Sequence, residues 1–149
     1  MKIRADEHVS PKIVAAIRSL VLSADWDLSH VRDHNAPRTA DETWVPRFIA
    51  EGGRGILTAD RKMMARPHEL AAIVDGGLVA VFLPAQWAEA RGHQQAAHIL
   101  WWWPRIEAAF RNSQPRQCWR VPFSFGSDDP LEEMVVRRPQ SPGTLSRRL

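Results

Sequence analysis

The sequence predicts a single α/β domain in which helices cover both faces of a mainly parallel β-sheet. Two observations support this prediction. Strand-like apolar runs alternate with helical patterns along the chain, and residues 78–83 form one continuous apolar run. Such a run is typical of a parallel strand that is buried on both faces. The alternation of the two patterns therefore favours a three-layer α/β/α sandwich.

The first part of the chain predicts a strand, a helix and a second strand. Residues 2–6 form a short apolar run, and Ser10 followed by Pro11 is typical of a helix N-terminus. Apolar residues at helical spacing within 13–21 mark one face of this helix. Residues 25–31 predict the second strand, which leads into a polar loop.

A second helix and a third strand follow the polar loop. Thr39 and Glu42 predict a capping box at the start of this helix, with Glu42 reaching back to the amide of Thr39. Apolar residues within 44–49 form its buried face, and the glycines at 52–53 end it. Residues 55–59 predict the third strand.

The second half of the chain predicts two more helices and a last strand besides the continuous apolar run. Residues 67–74 form a short helical pattern, and a longer pattern covers 86–110. Pro104 is expected to kink this long helix or to begin a new one. Residues 118–123 predict the last strand, and Pro122 marks it as an edge strand.

The C-terminal segment differs in composition from the rest of the chain. It is rich in Ser, Asp, Pro and Arg, and such a segment cannot bury much apolar area. With 149 residues and 44% hydrophobic content, the chain has the size of one domain. We therefore expect a folded domain over residues 1–125 and a flexible polar tail over 126–149 that is dispensable for folding.

Composition also limits the class of protein and its compartment. The 20 basic and 17 acidic residues give a net charge of only +3, which permits nucleic-acid binding without requiring it. Cys118 is the only cysteine, so no intramolecular disulfide forms, which fits a reducing cytosol. The N-terminus lacks a signal-peptide pattern, and the longest apolar stretch, 70–85, is interrupted and too short for a membrane span. We expect a cytoplasmic protein without membrane attachment.

Three acidic residues stand at strand ends or at the start of a helix. Asp6 ends the first strand-like run, Asp60 follows the third, and Asp41 opens the helix after the second. The carboxyl ends of parallel strands lie on one edge of a sheet, where ligands bind. The three carboxylates are therefore expected to meet at this edge, and clustered carboxylates suit a hard cation such as Mg²⁺.

Each of these acids also has a purely local explanation. A carboxylate at a strand end can simply be solvated, and acids in a first helical turn interact favourably with the helix dipole. The capping box explains Glu42 but leaves Asp41 unexplained. The shared placement of the three acids at one edge favours the metal site. Arg61 and Lys62, which directly follow Asp60, are candidates to bind a substrate phosphate.

Trp101, Trp102 and Trp103 are consecutive within the long predicted helix. Three successive helical residues span about 200° of a helix, so a small core can hardly bury all three rings. We expect at least one ring to face solvent or another chain. A protein interface is favoured over base stacking for this ring.

Three segments of the chain resemble the small bacterial PIN-like proteins. The matching segments are Arg4–Ser10, Asp41–Pro46 and Gly55–Met63. They lie in the same order and at the same spacing as in that family, and the resemblance covers residues 1 to about 85. It implies an α/β/α sandwich for the fold.

The resemblance also has implications for function. It implies a Mg²⁺- or Mn²⁺-dependent endoribonuclease acting on RNA, in which Asp6, Asp41 and Asp60 are the catalytic and metal-binding acids. Many relatives are toxins of toxin–antitoxin pairs (VapC type). A cognate antitoxin is therefore the expected protein partner, and a homodimer is a further expectation. Glu7 and Glu42 are additional candidate metal ligands.

The chain departs from the usual PIN pattern at one point. Full PIN domains carry a fourth acid near the end of the fourth strand, whereas here that strand leads into residues 83–86 without an acid. Glu7, Glu42 or Asp75 is expected to replace it, or the site is reduced. A catalytically reduced PIN-like interaction module is therefore the alternative function.

A phosphoacceptor receiver domain is a competing interpretation of acids after the first and third strands. Such a domain needs a lysine near its last strand. This chain has lysines only at Lys2, Lys12 and Lys62, and their positions argue against a receiver domain.

Overall fold

A six-stranded β-sheet forms the centre of the computed structural model, which describes residues 1–60, 62–63, 66–87, 89–125 and 130–136. The strands in chain order are β1 (Lys2–Ala5), β2 (Asp27–His30), β3 (Gly55–Thr58), β4 (Val79–Phe82), β5 (Cys118–Arg120) and β6 (Glu132–Met134). Their order across the sheet is β2-β1-β3-β4-β5-β6. Neighbouring strands are parallel except β5 and β6, which are antiparallel. The predicted mainly parallel sheet is confirmed.

Helices cover both faces of this sheet, as the three-layer prediction requires. The helices are α1 (Pro11–Leu20), α2 (Asp41–Ala50), α3 (Pro67–Asp75) and α4 (Gly92–Asn112). α1 packs against α4 on one face, and α2 packs against α3 on the other. Among the described residues, no helix is both long enough and apolar enough to cross a membrane.

Alternating side chains of the central strands supply two separate hydrophobic cores. In β3, Leu57 packs into the core beneath α1 and α4, whereas its neighbour Ile56 packs beneath α2 and α3. Successive strand side chains point to opposite faces of a sheet. A strand covered on both sides therefore needs apolar residues throughout, and all four residues of β4 are buried for this reason.

The helix that carries Asp41 begins later than its sequence pattern predicts. The predicted capping box of Thr39 and Glu42 is wrong, because α2 begins at Asp41 with Ala40 as its N-cap residue. Ala40 makes no side-chain capping hydrogen bond. The hydroxyl group of Thr39 instead donates to the carbonyl oxygen of Ala36 at 2.6 Å, within the preceding loop.

The last helix is also shorter at its N-terminus than predicted. The expected start near Gln86 lies in a separate 3-10 turn, Ala85–Trp87, and α4 begins only at Gly92. The helix is continuous through Pro104 to Asn112. Pro104 therefore does not begin a new helix.

Part of the polar C-terminal segment belongs to the sheet, contrary to the expectation of a loosely attached tail. Within residues 130–136, β6 pairs with β5, and Leu131 is buried in the core beneath α1 and α4. β5 is therefore not an edge strand, and Pro122 lies beyond its end. A three-residue strand in a polar segment shows too little alternation to be recognised from sequence. The expectation for residues 126–129 and 137–149 lies outside the described residues and stays a prediction.

The three consecutive tryptophans of α4 have different surroundings. Trp102 and Trp103 are fully buried, whereas 55% of Trp101 is exposed. The indole N–H of Trp103 donates to Glu107 Oε1 at 2.9 Å, and that of Trp102 donates to the carbonyl oxygen of Ser124 at 2.8 Å. The prediction that this core does not bury all three rings is confirmed.

We expect a chain that ends at Phe125 to be less stable than the full chain. This truncation removes β6 and the buried side chain of Leu131. Loss of a buried leucine side chain costs about 2–5 kcal/mol, and about 2 kcal/mol corresponds to about 8 °C in a domain of this size. Calorimetry should therefore show a melting temperature at least about 8 °C lower.

A chain that ends at Val136 is the matched control, because it keeps β6 and Leu131. It also tests whether residues 137–149 are dispensable, as the sequence predicts. Equal melting temperatures for the two truncations would show that β6 does not stabilise the domain.

Candidate functional site at the carboxyl edge of the sheet

Three carboxylates line one cavity at the edge where the parallel strands end. Asp6 directly follows β1, Asp60 follows β3, and Asp41 is the first residue of α2. The cavity, here called the acidic cavity, has a volume of about 230 Å³. The parallel topology thus brings together the three acids predicted from the sequence. The other lining residues are Glu7, His8, Arg38, Thr39, Ala40, Arg66 and Glu69.

The hydroxyl group of Thr58 connects Asp6 to Asp60. It donates a hydrogen bond to Asp6 Oδ2 and accepts one from the backbone N–H of Asp60 at 3.0 Å. The backbone N–H of Asp6 donates to the carbonyl oxygen of Leu57 at 3.0 Å and so continues the pairing of β1 with β3. The sheet itself therefore holds both acids in position.

The loop between β1 and α1 places His8 inside the acidic cavity. The backbone N–H of His8 donates to Asp6 Oδ1 at 3.0 Å, and the ring Nε2 of His8 lies 3.3 Å from Asp60 Oδ2. His30, at the end of β2, holds the same loop, because its Nε2 lies 2.7 Å from the carbonyl oxygen of Val9. His8 was not predicted as a site residue, although it lies only two residues beyond the strand-end acid Asp6.

Positive and amide groups surround the buried carboxylate of Asp60. A guanidinium nitrogen of Arg66 lies 3.4 Å from its Oδ2, and the backbone N–H of Lys62 donates to its Oδ1 at 2.9 Å. The exposed side chain of Lys62 does not line the acidic cavity. Arg61, the other predicted phosphate-binding residue, lies outside the described residues. Arg66 lines the acidic cavity beside Asp60 and is therefore a candidate phosphate ligand. It was not predicted from the sequence.

Asp41 and Glu7 are fixed by neighbouring groups on the side of α2. The indole N–H of Trp44, whose ring is buried, donates to Asp41 Oδ1 at 2.9 Å. Glu7 Oε1 accepts a hydrogen bond from the backbone N–H of Arg38, whose φ of 63° lies in the left-handed region. Glu7 thus stabilises the loop at Arg38, and one of its two carboxylate oxygens is already engaged.

Burial makes ionisation of two of the acids unfavourable. It raises the pKa of Asp6 to about 7, although the hydrogen bond from Thr58 opposes the rise. It also raises the pKa of Asp41, and neighbouring carboxylates, Glu69 first among them, add to this rise. A cation in the cavity would lower both pKa values, because an opposite charge favours the ionised form.

Glu69 is a further acid of the cavity, besides Asp6, Asp41, Asp60 and Glu7, and it was not predicted from the sequence. It lies in the first turn of α3, and its carboxylate forms an ion pair with Arg66 at 3.1 Å. Of the predicted replacements for a fourth acid, Glu7 lines the cavity, whereas Glu42 is exposed outside it and Asp75 lies at the far end of α3. Acidic residues are common in the first turn of a helix because of the helix dipole. The position of Glu69 in the sequence therefore did not indicate a functional role.

The donor set of the acidic cavity has the chemistry that a hard divalent cation requires. Within the described residues, however, no group of three His, Cys, Asp or Glu side chains is arranged so that it could hold a metal ion. Asp60 is paired with His8 and Arg66 instead. Cation binding would therefore require the carboxylates to rearrange. The carboxylate oxygens, which Mg²⁺ and Mn²⁺ prefer, come from Asp6, Asp41, Asp60 and Glu69.

A second cavity adjoins the acidic cavity and shares a wall with it. This large cavity has a volume of about 560 Å³, and His8, Asp60 and Arg66 line both cavities. Its remaining wall is mainly apolar, with polar residues that include Lys62 and Glu89. The apolar residues of this wall are Ile13, Ala59, Leu83, Pro84, Trp87 and Ile99.

Comparison with known proteins finds a match to a family model. A family model described as a PIN-like domain matches residues 1–85, which is more than half of the chain. The matched part contains β1 to β4 and all four acids of the donor set. No curated protein and no solved structure matches the chain.

We expect Asp6→Asn to stabilise the metal-free protein at alkaline pH relative to wild type. The folded protein binds the Asp6 proton more tightly than the unfolded chain, because the pKa is raised from 3.8 to about 7. Ionisation therefore removes stability as the pH rises from about 4 through about 7, by at most about 4 kcal/mol. The Asp6→Asn variant has no carboxyl group to ionise at this position, so it does not lose this stability as the pH rises. Urea unfolding in EDTA at several pH values measures the difference.

Asp27→Asn controls for the general loss of a carboxylate, since Asp27 is exposed at the opposite edge of the sheet. A stability difference between Asp6→Asn and wild type that stays constant from about pH 4 to about pH 8 would contradict the raised pKa.

Proposed function

The chain belongs to the PIN-like domain family, whose members are generally nucleases, and from this premise we propose that it is a metal-dependent endoribonuclease. The observation that carries the proposal is the link from Asp6 through Thr58 to Asp60, which holds two buried carboxylates at the cavity that Asp41 also lines. Burial of a carboxylate is unfavourable. A structure that retains two of them beside a third indicates a site with a positively charged ligand.

The residues that would hold a divalent cation are Asp6, Asp41 and Asp60, with Glu69 as a fourth candidate. Glu7 is a weaker candidate than in the sequence analysis, because Arg38 already uses one of its oxygens. When bound, Mg²⁺ or Mn²⁺ lowers the pKa of a water molecule and offsets negative charge on the phosphate. These two effects are the chemistry that hydrolysis of a phosphodiester requires.

The basic side chains around the acids suit the phosphate of an RNA strand. Arg66 lies at the wall shared by the two cavities, and its guanidinium group can bind a phosphate through paired hydrogen bonds. Lys62 lines the large cavity beside it. This contact would replace the present ion pairs of Arg66 with Asp60 and Glu69. RNA, as opposed to DNA, follows from the family resemblance.

We further propose that the protein is the toxin of a toxin–antitoxin pair, with an antitoxin as its protein partner. Trp101 supports a partner, because its ring is mostly exposed on α4 while both following rings are buried. Aromatic residues are enriched at the centres of protein interfaces. A short neighbouring gene for a DNA-binding protein would favour this role over a stand-alone nuclease.

The alternative function is a catalytically reduced interaction module that kept the PIN-like fold. Its supporting observation is that the described residues contain no group already arranged to hold a metal ion. Metal binding discriminates the two functions. A module without a nuclease role need not bind Mg²⁺ or Mn²⁺, whereas the nuclease must bind one of them.

We expect the purified protein to cleave single-stranded RNA only with Mg²⁺ or Mn²⁺ present. Asp6→Asn and Asp60→Asn should each reduce the cleavage rate by about 100-fold or more, the scale for loss of one preorganised electrostatic group. Asp27→Asn is the matched control and should retain the wild-type rate. The measurement is the initial rate on a labelled oligonucleotide.

Cleavage that proceeds equally in excess EDTA would exclude the metal mechanism. A cation-dependent rise in melting temperature that is lost in Asp60→Asn supports the metal site independently of cleavage. Binding of the cation without any cleavage would favour the interaction module.

We expect Trp101→Ala to weaken assembly without reducing stability. Its ring is exposed, so its removal leaves no cavity, whereas Trp102→Ala removes a buried ring at a cost of about 3–5 kcal/mol. The molecular mass of each variant in solution, measured with and without the candidate antitoxin, shows whether its assembly is weakened. If Trp101→Ala leaves assembly unchanged, Trp101 does not contact a partner.

A further inference from the structure

We propose that the large cavity binds one nucleobase of the RNA strand whose phosphate lies at the acidic cavity. This inference rests on the proposed nuclease function and adds a subsite that recognises the substrate next to the cleaved bond. The ligand class is a nucleotide of single-stranded RNA.

The shared wall of the two cavities is the first observation that supports a nucleotide. His8, Asp60 and Arg66 line both cavities, so a phosphate bound there is next to the carboxylates on one side and the large cavity on the other. The base and the phosphate of one nucleotide are joined through a single ribose. A strand that places its phosphate at Arg66 therefore places a base at the large cavity.

The polarity of the large cavity changes from its depth to its mouth. Ile13 and Ile99 are almost fully buried, whereas Lys62 and Arg66 are exposed. Glu89 is an exposed acidic residue of the lining, whereas Asp60 is a buried one. This arrangement matches a nucleotide, whose base is flat and largely apolar on its faces and whose phosphate is anionic.

Trp87 gives the apolar wall a fixed geometry. Its indole N–H donates to the carbonyl oxygen of Phe123 at 3.1 Å. Its ring also lies 4.7 Å from the ring of His98 and 5.2 Å from the ring of Phe123, with small interplanar angles of 30° and 31°. These contacts hold the indole in place before a ligand arrives, which reduces the entropic cost of binding.

Size is consistent with one nucleotide. The cavity volume of about 560 Å³ lies within the range of roughly 300–1,000 Å³ that is typical of small-molecule sites. An apolar segment of a partner protein is the competing occupant. Lys62 and Arg66 in the lining of the large cavity favour the nucleotide, since its phosphate can bind these cations, whereas an apolar protein segment offers them no anion.

The test compares nucleotides with a ligand that lacks only the base. AMP, GMP, CMP and UMP are titrated against ribose 5-phosphate, and dissociation constants come from the NMR shifts of the tryptophan indole N–H groups. The ratio of the two constants cancels the contribution of the phosphate and of any bound metal. We expect at least one nucleotide to bind about tenfold more tightly than ribose 5-phosphate, within the range for a base on an aromatic wall.

Two variants test whether the base occupies the large cavity. Trp87→Ala should remove the tenfold advantage, and Trp101→Ala, the same change at an exposed site, should retain it. Trp87 packs against three rings, those of His98, Phe123 and Phe125, so a second variant guards against misfolding. Gln95→Trp fills the cavity from the first turns of α4 and should also remove the advantage, with its fold checked by melting temperature.

Equal affinity for ribose 5-phosphate and all four nucleotides would overturn the proposal and favour a protein segment as occupant. An advantage that survives in folded Gln95→Trp would also overturn it. The titration requires no cleavage, so its result is separate from that of the nuclease assay. Cleavage without a base-dependent advantage rejects the base subsite alone, whereas a base-dependent advantage without cleavage rejects the nuclease and retains the nucleotide site.

Discussion

The hydrogen bonds of Thr58 are the constraint on which the rest of the site depends. One hydroxyl group donates to Asp6 and accepts from the amide of Asp60, across the boundary between β1 and β3. The register of these strands, with Ala5 opposite Leu57, sets the distance that this hydroxyl must bridge. Placing two carboxylates in the interior is unfavourable unless hydrogen bonds and a cation compensate. The fold and the proposed chemistry therefore depend on the same three side chains.

Much of the fold and part of the site could be predicted from the sequence because they depend on short-range patterns. Continuous apolar runs identify the central strands, and strand ends identify Asp6 and Asp60. β6 could not be predicted, because a three-residue polar strand exists only through its pairing with β5. His8 and Glu69 reach the cavity through a loop and a helix whose orientation depends on tertiary packing. Sequence spacing does not encode that orientation.

The tryptophans connect the last helix to the wall of the large cavity. Three ring nitrogens, from Trp87, His98 and Trp102, contact the carbonyl oxygens of residues 122–124 at 2.7 to 3.1 Å. A carbonyl oxygen can only accept, so each nitrogen donates. The segment after β5 is thereby attached both to α4 and to the 3-10 turn before it. These hydrogen bonds from ring nitrogens satisfy the carbonyl groups of residues 122–124, so the segment is held in place without forming a further strand.

The large cavity includes residues from beyond the part of the chain that forms the acidic cavity. The acids lie within the part that matches the PIN-like family, whereas part of the wall of the large cavity, formed by Trp87, His98 and Ile99, lies beyond residue 85. The matched part supplies carboxylates that suit any phosphodiester, because the phosphate group is the same in every nucleotide. The residues beyond 85 that line the large cavity would contact the base next to that phosphate. Under the proposed nuclease function, α4 and the turn before it would therefore contribute to selectivity for a particular RNA.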